Sequence, residues 1–168
     1  MLADHRASKD EYLRTNPGSP IPQELRGSFA GLPYFAWNPD LILTLAVSPG
    51  DGTEIQVATS NGADRIYRRV GSVDFDLGGA AQTLHLYDTG HTSLFLPFRD
   101  ATSGKETYGA GRYLDIEPND DGTVTLDFNL AYSPFCAYSD GYSCALPPAD
   151  NWMSVPIEAG EKTWQEPT

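Results

Sequence analysis

Clusters of turn-forming residues recur along the middle of this chain and leave room only for short elements between them. Pro49-Gly50-Asp51-Gly52, Ser60-Asn61-Gly62, Gly78-Gly79 and Asn119-Asp120-Asp121-Gly122 each predict a sharp reversal, because Gly supplies positive φ and Asx side chains close local turns. The segments between them read as strands. Leu41–Val47 is apolar on both faces, as a buried strand would be, and Glu54–Ala58 alternates with period two. Arg65–Val70 is expected to break at Gly71 before Ser72–Asp76, and Thr83–Tyr87, Thr92–Phe98, Gly111–Ile116 and Thr123–Leu130 follow. The pattern predicts an all-β fold, an antiparallel barrel or sandwich of about eight to ten strands.

Residues 2–14 predict a short N-terminal helix that stops at Asn16-Pro17-Gly18 and leads into an extended arm around Pro20-Ile21-Pro22. This helix has no long apolar stripe, so it must dock or fray. The organisation expected is a helix and arm over residues 1–30 and a β domain over 31–168, forming a single domain. With 16 Gly and 13 Pro, many short elements separated by tight turns are expected rather than a helical bundle.

The net charge of −12 argues against nucleic acid or an anionic membrane as partner, since both would repel it. The longest apolar run, Leu41–Val47, is far too short to span a bilayer. No secretory signal pattern is visible at the start, and a cytoplasmic location is the expectation. Acidity concentrates late: residues 1–84 carry 7 basic and 10 acidic side chains (−3), residues 85–168 carry 4 and 13 (−9). Two readings fit this balance, a surface adapted to high salt and ordinary acidic composition.

Strand alternation sorts the polar side chains. Thr123, Thr125, Asp127 and Asn129 share one face, Thr83, His85 and Tyr87 another, and Tyr113 and Asp115 a third. Such faces are the solvent side of a half-buried sheet or the wall of a pocket. Asp127 and Glu106 are the candidate catalytic carboxylates. Asn129 shares the Asp127 face, and the alternative role for both is capping the irregular segment that follows. Arg112 follows Gly109-Ala110-Gly111, where missing side chains let a ligand or another backbone approach; it is either an anion clamp or the partner of Glu106 or Asp115. Tyr108, Tyr132 and Asn151 complete the candidate ligand-binding set, with Tyr113 and Tyr138 as further rings for a planar or sugar-like ligand.

Cys136 and Cys144 are the only cysteines. Two reduced, buried thiols are expected; a disulfide closing a small loop is geometrically possible but disfavoured in a reducing compartment. A zinc site at these two positions is a weak alternative, because a second ligand pair is missing.

The order Phe98-Arg-Asp-Ala-Thr-Ser-Gly104, Glu106-Thr-Tyr-Gly-Ala-Gly-Arg-Tyr-Leu114, Asp127-Phe-Asn-Leu-Ala-Tyr-Ser-Pro-Phe-Cys136, Cys144-Ala-Leu-Pro-Pro-Ala-Asp-Asn151 and Ala159-Gly-Glu-Lys162 resembles the prokaryotic family of unknown function numbered sixteen eighty-four. Ser133 and Ala145 depart from its usual Asn and Pro. The resemblance implies that Thr102, Gly104, Glu106, Tyr108, Gly111, Arg112, Asp127, Asn129, Tyr132, Cys136, Cys144, Pro147, Pro148 and Asn151 stand at motif positions. It implies no activity, cofactor or substrate.

Three functions compete. The favoured one is a module that binds an unknown small molecule or metal ion in a polar, aromatic pocket. The second is a hydrolase-like enzyme with Asp127 or Glu106 as general base, Arg112 as anion stabiliser and Asn129 as orienter. The third is a structural or partner-binding domain; its exposed strand edges would allow a homodimer.

Overall fold

A computed structural model describes residues 1–167 of the chain. The N-terminal helix, α1, spans Leu2–Thr15, and Leu13 is its buried apolar residue. It docks through charge as well as through that contact. Lys9 pairs with the buried Glu161, the Arg6 guanidinium lies 4.0 Å over the Tyr34 ring, and Asp10 accepts the Leu32 N–H at 3.0 Å. The arm that follows packs Ile21, Phe29 and Leu32 against Leu13 and Tyr138, a small core of its own.

Eight strands follow, all pairing antiparallel. They are β1 (Ile42–Ala46), β2 (Ser48–Pro49), β3 (Glu54–Ala58), β4 (Asp64–Leu77), β5 (Ala80–Asp88), β6 (Leu94–Phe98), β7 (Arg112–Ile116) and β8 (Thr123–Asp127). β1 pairs with β8 in a two-stranded sheet. The larger sheet runs β2-β4-β5-β6-β7, with β3 also paired to β4. Hydrogen bonding does not close these sheets into a barrel, and β7 approaches β8 through the isolated bridge Pro118–Val124. Val73, Leu84, Leu86, Leu96, Phe98, Leu114, Ile116, Val124, Leu126 and Phe128 form the main core between them. This is the mostly antiparallel β architecture expected from the turn spacing.

Three local expectations change. Leu41–Val47 is not buried on both faces: the main core packs against one face of β1 only, so Leu43 and Leu45 turn inward while Ile42, Thr44 and Ala46 are exposed. Gly71 does not end a strand. β4 continues through it with a register shift between Arg69 and Gly71, and a Cβ there would lie 2.6 Å from Val47 Cγ1 and 3.2 Å from the Ser48 carbonyl oxygen. The glycine therefore admits β2 beside β4. The strand expected over Thr123–Leu130 stops at Asp127, whose carboxylate accepts the Asn129 N–H and turns Phe128–Leu130 into a 3-10 turn.

Candidate functional site

The outer face of β4–β7 is not simply solvated. Arg65 and Tyr67 on β4, Tyr87 on β5, Phe95 on β6, and Tyr113 and Asp115 on β7 follow the alternation that sends Val73, Leu84, Leu86, Leu96 and Leu114 inward. Residues 132–145 fold back over this face. Tyr132 exchanges both main-chain hydrogen bonds with Tyr113, at 2.8 and 3.1 Å, and the Cys144–Leu146 stretch bonds to Ala58 at the end of β3 and to Ser60 just beyond it. Sheet and flap leave a recess of about 760 Å³, lined by Arg65, Tyr67, Phe95, Tyr113, Asp115 and Tyr132 among others.

Its wall is a train of rings packed edge to face. Tyr67 and Phe95 have centroids 5.8 Å apart, Phe95 and Tyr113 4.7 Å, and Tyr113 and Tyr132 5.7 Å, the arrangement aromatic quadrupoles favour. The Tyr113 hydroxyl donates to the Ala145 carbonyl and the Tyr132 hydroxyl to Asp115 Oδ2 at 2.8 Å. Burial pushes both phenols well above the ordinary tyrosine range; Tyr67 adds to the effect at Tyr113, and the Asp115 carboxylate at Tyr132.

Of the seven catalytic and ligand-binding candidates only Tyr132 lines this recess; of the further rings Tyr113 lines it and Tyr138 does not, and Cys144 lines it too. Glu106 is exposed on a turn. Tyr108 borders a separate groove with Ser60, Asn61 and Asp140. Asp127 and Asn129 do converge, but on each other: Asn129 Nδ2 donates to Asp127 Oδ1 at 2.9 Å. The Asn129 amide also grips the Asn38 backbone, accepting its N–H at 2.8 Å and donating to its carbonyl at 2.9 Å. Asn151 is fully buried between β5 and β6, bonded to His85 and Pro97 main-chain groups.

Arg112 is fully buried. Its guanidinium donates to the main-chain carbonyls of Ile157 at 2.8 Å, Glu161 at 3.2 Å and Ala159, and stands 3.6 Å from Asp100. Neither Glu106 nor Asp115 is its partner. Gly111 does admit a close approach, but of protein: at φ +103°, a Cβ would fall 2.4 Å from the Phe98 carbonyl oxygen. Asp100 in turn accepts the Ile157 N–H at 2.6 Å and the Thr102 hydroxyl at 2.8 Å. Glu161 accepts the Ser133 N–H and the Tyr138 hydroxyl, each at 2.9 Å, besides pairing with Lys9. These groups fasten the C-terminal segment and α1 to the β domain.

Cys136 and Cys144 form a disulfide, with Cα atoms 6.4 Å apart. That corrects the expectation of reduced thiols, which rested on compartment rather than on geometry. Bonded to each other, the two sulfurs are not free to hold zinc. Among the described residues no group of three or more His, Cys, Asp or Glu is placed to hold a metal ion.

Four tyrosines make stability sensitive to alkali. Burial, as the largest cause, raises Tyr34, Tyr113, Tyr132 and Tyr138 above the usual 10.0, with Glu161 adding to it at Tyr34 and Tyr138. Above that pH the unfolded chain releases phenolic protons that the native fold retains. Stability present below the ordinary value is therefore lost as pH rises beyond it. We expect phenolate absorbance to rise in a step coincident with loss of the circular dichroism signal. Smooth titration of all nine tyrosines in a still-folded protein would contradict this.

Residues 27–162 match the family described as "Protein of unknown function (DUF1684)". The chain belongs to DUF1684. A solved structure similar to it is the solution NMR structure of the uncharacterized protein from gene locus rrnAC0354 of Haloarcula marismortui. The two are 41% identical with a TM-score of 0.74, and the likeness covers 96% of this chain and 92% of that one. No curated protein matches the chain. The DUF1684 match takes in all eight strands, the recess and the Arg112 cradle, whereas α1 precedes it. No described helix is long and apolar enough to cross a membrane.

Among the recess residues that sequence reasoning passed over are Arg65, Tyr67 and Phe95. Their signal was the recurrence of aromatic side chains at outward strand positions, where a solvated face would carry small or charged ones.

Proposed function

We propose that this DUF1684 protein binds a small organic molecule in the recess between the outer face of β4–β7 and residues 132–145. The observation behind this reading is the concave wall of four successively packed rings opening beside a carboxylate and a guanidinium. Cavities of this size, mostly apolar with a few polar groups, suit metabolite-sized ligands. The acidic balance of the chain disfavours nucleic acid as the occupant. The hydrolase-like alternative has less behind it. Glu106 and Asp127 lie outside the recess lining, and the Arg112 guanidinium is spent on carbonyls.

A thermal-shift screen of planar compounds, sugars, amino acids and organic ions tests the reading. A ligand at a hundredfold excess over its Kd should stabilise the fold by about 2.7 kcal/mol. The shift should vanish in Phe95→Ala and persist in Glu106→Gln. A hit abolished by Glu106→Gln and untouched at Phe95 would move the site elsewhere.

A further inference from the structure

Two charges in the recess have no ionic partner. Asp115 is exposed, uses one carboxylate oxygen to accept the Tyr132 hydroxyl, and makes no salt bridge among the described residues. Arg65 donates through Nη2 to the Ser143 carbonyl and likewise pairs with no described carboxylate. Both line the same concavity yet do not pair across it. Between them lies the ring train, whose π faces carry the negative end of the aromatic quadrupole and attract cations. Outside the recess, Lys9 Nζ, held by Glu161, stands 5.1 Å from the Tyr132 ring centroid.

The phenols narrow the choice further. Tyr113 and Tyr132 have spent their hydroxyl protons on Ala145 and Asp115. On these two rings a polyhydroxylated ligand would find no free donor, whereas an alkylated ammonium needs only ring faces and a carboxylate. A neutral planar ligand would leave both charges unanswered.

We infer that the recess recognises a small zwitterion, its substituted ammonium group seated against the Phe95–Tyr113–Tyr132 wall and Asp115, its carboxylate directed to Arg65. This rests on the recess being a ligand site and specifies the class of ligand. The guanidinium offers a forked donor to a carboxylate, and the rings with Asp115 offer a cation site that excludes simple anions. Each half alone should bind weakly, because the site answers two opposite charges at once.

The test is NMR titration of the full chain with trimethylglycine and with 4-(trimethylammonio)butanoate, which differ in charge separation. Tetramethylammonium and acetate serve as the two halves, and a neutral sugar and a planar aromatic as controls. The expected result is saturable shifts confined to Tyr67, Phe95, Tyr113, Tyr132 and their neighbours with at least one zwitterion. Asp115→Asn and Arg65→Gln should each weaken that binding by about tenfold or more, as loss of a charge-assisted contact implies. Both variants alter exposed side chains and should keep the wild-type amide spectrum elsewhere. Binding of a sugar or planar compound in the recess while both zwitterions fail overturns the zwitterion assignment and leaves the ligand site standing. Zwitterion binding indifferent to both substitutions overturns it as well. Recess signals unmoved by every probe remove both readings together.

Discussion

Arg112→Met should cost the protein about 3–5 kcal/mol, the usual penalty for removing one partner of a buried ion pair. A small domain has only about 5–15 kcal/mol of stability, so this single change should bring the variant close to unfolding. The side chain is wholly enclosed, and burial opposes its charge while Asp100 and Glu161 favour it. Removing it strands the Asp100 carboxylate and withdraws donors from the carbonyls of Ile157, Ala159 and Glu161. Lysine should rescue only in part, since one ammonium cannot span carbonyls that a fork reaches together. Adding Asp100→Asn to Arg112→Met should recover some of the loss by removing the orphaned charge. Urea midpoints at constant slope measure all three. A loss under about 1 kcal/mol, no more than a single ordinary hydrogen bond contributes, would mean that the C-terminal segment is held by something other than this cradle.

The Arg112 case also shows what a sequence conveys and what it withholds. Strand positions were legible because turn residues and period-two alternation are local. Glu54–Ala58 and the reversals at Gly62, Gly78-Gly79 and Gly122 needed no distant information. The extent of Thr123–Leu130 was misjudged because the Asp127 cap competes with the ladder, and alternation alone does not register that competition. Charged residues were harder still. The cradle joins Asp100, Arg112 and residues 157–161, and the α1 tether joins Lys9 to Glu161 across 152 positions. Such pairs are fixed by tertiary packing and leave no spacing signature. Motif residues read as ligand contacts proved to answer the chain's own backbone, which is the other demand that places polar groups in cores. The recess was half legible: Tyr113 and Asp115 were visible as one face, but the flap covering them begins at Tyr132 and could not be placed from periodicity.

Asn151→Ala should produce the second large loss, about 3–9 kcal/mol, from three main-chain groups left without partners at about 1–3 kcal/mol each. β5 and β6 share a single registered pair, Tyr87 with Phe95, and then part. Pro97 has no N–H to offer a ladder at that point. The Asn151 amide fills the gap as a surrogate peptide: its oxygen accepts the His85 N–H at 2.8 Å, and its nitrogen donates to the carbonyls of His85 at 3.0 Å and Pro97 at 2.9 Å. The main chain holds it there, because Asn151 N–H donates to the Pro148 carbonyl at 2.8 Å and its carbonyl accepts the Arg99 N–H at 3.1 Å. Asn151→Asp should be at least as damaging as alanine. It keeps the shape but loses both donors and sets a carboxylate against two carbonyl oxygens. Hydrogen exchange separates this account from simple cavity formation, since the His85 amide should lose protection before the rest of β5. If that amide stays protected in Asn151→Ala, the two strands do not depend on the side chain, and a polar residue at a motif position would again call for a ligand to explain it.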